Sequence, residues 1–318
     1  MVRREDTQIS LADALIYQRV KPNNVLIQID AHVDWEPLRR KMENQYRTGG
    51  PGRPGYPVVT MFKVLILQNL YNLSDPAAEE AITDRISFRK FLGLNLDQPV
   101  PDYSTIHRFR DRIAPIVDDL FAMMTQQMES KNLILKKGTL IDASIIESSA
   151  RPPLPGVKTS SDQGATWTKK NQCYYYGYRA HLGLDQSSEL IRRAEFTPAN
   201  INDARLFKKM VSGDEDAVYA DRAYFGYERS DWLKEQGIAD YIMAQVTVDK
   251  RPQKDDIKAF NRAAERVRKS VEHVFGTLKR HYSLARCRYY TLLRNRCHYL
   301  MMCICYNLKR QNRLLQAV

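Results

Sequence analysis

A chain of 318 residues is long enough to bury a substantial core, as one large domain or as two. Its 49 Lys and Arg against 37 Asp and Glu leave a net charge of +12, and the stretch from Lys250 to Val318 alone, with 17 basic and 4 acidic residues, carries +13. That asymmetry fits a polyanionic partner, most simply nucleic acid, rather than a membrane surface, because the basic residues surround a helix that reads as part of a core.

Residues up to about Arg47 show no clear period, and the charged first residues suggest a mobile start. Thr48–Pro57 is so rich in Gly and Pro that it reads as a linker or ordered loop, which closes a first segment of residues 1–57. Phe62, Leu65, Ile66, Leu70 and Leu73 then recur at helical spacing and predict an apolar helix from about Val59 to Leu73. Ser74-Asp75-Pro76 stops it and starts the next, with Asp75 as cap and Pro76 in the first turn. Short helices are expected around Ala77–Thr83 and Phe88–Leu92, up to Gly93. Pro101–Thr105 opens another through Ile106, Phe109 and Ile113, and a further helix runs from about Ile116 to Ser130. Residues 58–132 thus read as a small all-α domain. Asp102 and Ser104 as caps, followed by His107, Arg108, Arg110 and Arg112, suit the second helix of a helix-turn-helix; an ordinary packing helix with a solvated basic side has the same pattern.

From Gly138 the period shifts toward strands, and residues 133–318 read as a second domain. Thr139–Ser144 is a short apolar run around Asp142, and Ser148–Gly164 is a loop. Tyr174–Leu184 reads as a long strand, with Glu189–Thr197 as its partner across a turn at Asp185–Ser188. A helix begins at Asn202-Asp203 and continues through Leu206, Phe207 and Met210. Ala217–Ala220 leads as a strand into Asp221, followed by a helix over Tyr227–Gln236, a strand over Ala239–Ala244, and the helix that holds Glu272. The order β-β-β-α-β-α-β-α predicts three antiparallel strands and then parallel additions, a mixed sheet flanked by helices. Five cysteines, an odd number without a Cys-x-x-Cys pair, argue against both a disulfide framework and zinc-site spacing. Cys303 and Cys305 lie in the apolar run Tyr299–Tyr306, far short of the about 20 residues that span a bilayer. With no apolar signal-peptide core near the start, a reduced cytoplasmic setting without membrane is expected.

Three acids stand out. Asp142 and Asp221 each close an apolar segment of strand character, where a carboxylate is costly unless hydrogen-bonded, paired or bound to metal; a helix cap or Asx turn at the strand exit is the plain alternative for each. Glu272 shares a helix face with Arg268 one turn before and Lys279 two turns after, beside an apolar stripe of Val271, Phe275 and Leu278. Charged pairs at this spacing also decorate solvated faces. Trp167 with Lys169 and Lys170 falls in the loop before the long strand, where it can stack on a base or serve as a hydrophobic lid. His273 points away from Glu272, and Glu147 and Asp185 are further carboxylates for which solvated turns are the plainer reading.

Arg268, Glu272 and Lys279 fit the frame Arg-x3-Glu-x6-Lys, and with Ala165–Lys170, Tyr176–His181, Thr197–Asn200 and Ala220–Tyr224 the chain resembles the DDE transposases of bacterial insertion sequences from roughly Val58 to the end. That group often carries a Tyr three positions before the Arg; Glu265 stands there instead. The resemblance implies a ribonuclease-H-like catalytic domain, binding of double-stranded DNA at terminal inverted repeats and at the target, a homodimer in the DNA complex, and metal-dependent cleavage and strand transfer beside the bacterial nucleoid. Asp142, Asp221 and Glu272 would be both catalytic and metal ligands, for two Mg²⁺ ions with Mn²⁺ as substitute, since hard cations take carboxylate oxygens and leave room for phosphate. Arg268, Lys279, Arg222, Trp167, Lys169 and Lys170 would contact DNA. A non-cutting DNA-binding regulator, or a nuclease of the same fold, are the alternatives.

Overall fold

The computed structural model describes residues 10–46, 55–153, 160–244 and 254–316. The charged start and most of the Gly/Pro-rich stretch expected as a linker lie outside them. Of the described residues, those within Met1–Gln127 and Leu300–Val318 form one compact unit, and those within Met128–Tyr299 form another.

The first unit is helical. Where the sequence shows no period stand α1 (Leu11–Tyr17), α2 (Val25–His32) and α3 (Glu36–Glu43). Helices of about two turns are too short to show a period, and their signals are local: Ser10 accepts a hydrogen bond from the Asp13 N–H, Asn24 from the Leu26 N–H, and Pro37 sits in the first turn of α3. Next comes α4 (Val58–Tyr71), buried at every residue from Val58 to Leu70 and ended by Asn72 in the left-handed region at φ 51°. Ser74 rather than Asp75 caps α5 (Asp75–Asp84). Gly93, at φ 67°, ends α6 (Ile86–Leu92). Then follow α7 (Tyr103–Ile113) and α8 (Val117–Ser130). The helix-turn-helix reading of α7 does not hold. A long connection from Gly93 to Asp102 replaces the tight turn of about three or four residues. Arg110 is also buried, donating to Gln68 Oε1 at 3.0 Å and pairing with Asp75.

The second unit contains β1 (Thr139–Glu147), β2 (Thr166–Lys170), β3 (Cys173–Asp185), β4 (Ile191–Pro198), α9 (Phe207–Met210), β5 (Ala217–Ala220), α10 (Tyr227–Glu235), β6 (Ala239–Ile242), α11 (Lys254–His281) and the start of α12 (Leu292–Gln316), whose residues from Leu300 belong to the first unit. The sheet runs β4-β3-β1-β5-β6, antiparallel through β4, β3 and β1 and parallel through β1, β5 and β6. This is the ribonuclease-H-like order that the sequence predicts. The stretch expected as a loop around Trp167 is instead an added strand, β2, paired with Cys173–Gly177 on the edge of β3 whose remainder takes β4. Its composition hides it, because no residue of β2 is buried and no apolar alternation marks it. Asn171 and Gln172, both at positive φ, make the tight turn from β2 to β3. The helix expected from Asn202 shrinks to a 3-10 turn followed by the single turn of α9.

Two layers flank the sheet. Ile141, Val218, Ala220 and Ile242 pack with Phe207, Met210, Tyr224 and Leu233 under α9 and α10. Alternation along the strands turns Leu140, Asp142, Tyr219 and Tyr241 to the other face. There α11 packs on β1 and β5, and Tyr241 stacks between Tyr219 at 4.8 Å and Phe260 at 6.0 Å. Asp185 is fully buried, not solvated: it accepts hydrogen bonds from the Lys136 and Ser188 N–H groups and the Ser188 hydroxyl. Asp162, within the expected loop, is also buried and ties Tyr178, Ser148 and the Thr291 N–H together. Of the five free cysteines Cys173 alone is exposed, and no helix among the described residues is long and apolar enough to cross a membrane.

Candidate active site

Strand register brings the two aspartates together. Parallel β1 and β5 set Leu140 opposite Tyr219 and Ile141 opposite Ala220, so Asp142 and Asp221 come next, side by side where β5 ends. Asp142 is not at a strand exit as the sequence suggests, since β1 runs on to Glu147; it lies beside the carboxyl end of β5, and such ends are where ligand crevices form in these sheets. Asp221 then caps the 3-10 turn Arg222–Tyr224 with its Oδ1 on the Arg222 N–H at 2.7 Å, and Asp142 Oδ1 accepts from the Ala143 N–H at 2.8 Å.

The third acid arrives on α11, which presents three adjacent stripes. Ala264, Val271, Val274, Phe275 and Leu278 are buried against the sheet. Glu265, Arg268, Glu272 and Lys279 follow at helical spacing and line, with Asp142, Asp221 and Lys170 of β2, a cavity of about 510 Å³. Lys258, Arg262, Arg266, Lys269 and Arg280 form a third stripe, exposed to solvent.

The electrostatics of the cavity are tense. Burial raises the Asp142 carboxyl to about 6; the charges of Asp221 and Glu272 push the same way, against Arg268 and the Ala143 N–H. The Lys279 ammonium is pushed below its ordinary value by burial and by Lys170, against the pull of Asp142. Arg268 is not on the polar rim where the helical frame suggests it. Its side chain is 6% exposed and lies between the aspartates, Nη2 3.7 Å from Asp142 Oδ1 and Nη1 3.8 Å from Asp221 Oδ1.

This donor set suits hard divalent cations, because it offers carboxylate oxygens from Asp142, Asp221 and Glu272 to one cavity. Among the described residues no three His, Cys, Asp or Glu side chains gather closely around a single point. A two-ion site does not demand it: one shared carboxylate and one more for each ion suffice.

Other expected site residues stand apart. Trp167 and Lys169 lie on the face of β2 opposite Lys170, with Trp167 5.4 Å from the Tyr176 ring and the Lys169 ammonium 5.4 Å above Tyr174. Arg222 is exposed just past Asp221 and outside the cavity lining. Of the charged residues lining the cavity, Glu265 is the one not expected there from the sequence. It stands three residues before Arg268 and seven before Glu272, so helical spacing was the signal that places it on the same face.

Comparison with known proteins matches two family models to this chain. Residues 14–112 match a family model described as a transposase domain (DUF772), and residues 135–308 match the transposase DDE domain. A structure described as a cryo-EM structure of piggyBac transposase synaptic complex with hairpin DNA is similar over 76% of this chain, at 11% identity and a TM-score of 0.33, a likeness too distant to bear weight. The chain spans about half the length of that protein, 52%. The DDE-domain match covers more than half of the residues, and the chain therefore belongs to the transposase DDE-domain family.

Proposed function

We propose that this chain binds the terminal inverted repeats of an insertion sequence as a homodimer, in the cytoplasm on nucleoid DNA, and cuts and transfers DNA strands at the cavity between β1, β5 and α11. The observation that carries this reading is the convergence of Asp142, Asp221 and Glu272, from two strands and a helix, on one cavity that also receives Lys170 and Lys279. Two Mg²⁺ ions, replaceable by Mn²⁺, would supply activation of the attacking oxygen and neutralisation of the leaving one. Asp142 would be the shared ligand, with Asp221 and Glu272 one on each side. Lys170 and Lys279 hold the phosphate as paired point charges: two ammonium groups at one half-buried cavity repel each other until an anion lies between them. No side-chain nucleophile is needed, since water or a DNA 3′-hydroxyl attacks.

The exposed stripe of α11 leads away from the cavity. From Lys258 to Arg280 it extends roughly 33 Å at the helical rise, close to one turn of duplex, so it can follow a DNA backbone that enters the site. Trp167 and Tyr174, 45% and 68% exposed beside Lys169, offer stacking surfaces to unpaired bases. Arg222 adds a flanking phosphate contact, and residues 58–132 help to bind ends or to dimerise.

The test is a cleavage assay on a duplex carrying the element's end. Asp142→Asn, Asp221→Asn and Glu272→Gln should each abolish Mg²⁺-dependent cutting while leaving DNA binding nearly intact. Substantial cutting by any one variant removes that residue from the site.

A further inference from the structure

A guanidinium is a demanding neighbour for acids that are to hold metal, and Arg268 is placed unusually. Among the described residues, one of its N–H groups has a hydrogen-bond partner, the soft Met243 Sδ at 3.5 Å from Nη1, and Nε is buried with none. The carboxylates of Asp142 and Asp221, at 3.7 and 3.8 Å, lie beyond hydrogen-bonding reach. Charge, not hydrogen bonding, therefore holds Arg268 to the acids. A guanidinium has five N–H donors, and leaving Nε buried without an acceptor is unfavourable for a group whose only duty is structural. The same position is well suited to a cation that must be displaced, because few directional bonds have to break when a stronger cation arrives.

We propose that Arg268 is the resident counter-cation of the site: in the metal-free protein it neutralises Asp142 and Asp221 together, it competes with divalent cations for them, and its free donors turn to a DNA phosphate once the acids are occupied. Arg268 is thus a positioning residue, keeping the like-charged side chains of Asp142, within β1, and Asp221, just past β5, at one spacing until the metal takes over. The inference rests on the reading of these acids as metal ligands.

The experiment measures Mn²⁺ binding by electron paramagnetic resonance on the full chain without DNA, and melting temperature in chelator. Arg268→Met should lower the metal-free melting temperature yet bind Mn²⁺ more tightly, by about tenfold or more, since a cation 4 Å from the ligands is gone. Arg268→Lys, which keeps the charge, should stay near the unaltered protein in both. A merely structural arginine would lower the melting temperature without tightening Mn²⁺, and that result overturns the proposal. A second measurement needs no variant to bind metal: the Arg Nε–H resonance that disappears in Arg268→Lys should shift when the unaltered protein is titrated with Mg²⁺, and a resonance that does not move also overturns it. Failure of the unaltered protein to bind Mn²⁺ at all overturns the metal reading and this inference with it, whereas binding with unchanged affinity in Arg268→Met overturns the inference alone.

Discussion

Ionised Asp142 is held in its cavity at a cost in stability. Its carboxyl is raised from an ordinary 3.8 to about 6, chiefly by burial. The folded protein therefore holds that proton more tightly than the unfolded chain does. This contribution to stability is full below about pH 4 and is lost as the pH rises through about 6. A shift of about two units corresponds to on the order of 3 kcal/mol. Asp142→Asn removes the charge, so in chelator the variant should melt above the unaltered protein at pH 8, with the advantage shrinking toward zero near pH 4. Thermal melts across that range check it, and a variant that melts lower at pH 8 would show that the ionised carboxylate stabilises the fold.

At the scale of elements, α11 divides its labour by face, and its faces should fail in different ways. Leu278 is fully buried on the sheet-facing stripe. Leu278→Ala should cost about 2–5 kcal/mol in denaturant unfolding, the usual range for a cavity-forming truncation. Lys279 points into the cavity instead. Lys279→Ala should not lower the unfolding midpoint, since burial and Lys170 already disfavour its charge in the fold, yet should slow single-turnover cleavage of a pre-nicked end at saturating Mn²⁺. Unaltered rates would end its role as a phosphate clamp. The hairpin of β2 and β3 makes the same division across its two faces. Lys170→Met should reduce cleavage, while Trp167→Ala should act only where bases are unpaired, as fluorescence of 2-aminopurine in the strand can report.

Over the whole molecule, the net charge of +12 and the exposed stripe of α11 set a dependence on salt. Each phosphate neutralised on duplex releases counterion, so the logarithm of affinity should fall with the logarithm of salt concentration at a slope of at least about −4, or about −0.9 per contact. Replacing Arg262, Arg266 and Lys269 together by Ala should make that slope shallower by about 2.7 if all three contact backbone. Fluorescence anisotropy at several salt concentrations decides; an unchanged slope would mean that this stripe faces solvent and the DNA lies elsewhere.

The order of strands and helices, the flanking apolar stripes and the three acids in their frame were legible in the sequence, because each is a local or periodic pattern: Thr139–Ile141 and Ala217–Ala220 are continuous apolar runs, and Val271, Phe275 and Leu278 repeat with the helix. The helices α1, α2 and α3 were not, since elements of two turns leave caps but no period. Nor was β2, an exposed edge strand whose alternation has nothing apolar to alternate with. The sequence also suggested that Arg268 and Lys279 flank Glu272 alike, and in spacing they do. Tertiary structure alone decided otherwise. Parallel pairing of β1 with β5 draws Asp142 and Asp221, 79 residues apart in the chain, to neighbouring positions, and the packing angle of α11 sets Arg268 between them while Lys279 faces Lys170 across the cavity. Spacing along one helix says which residues share a face; what that face meets depends on the sheet beneath it.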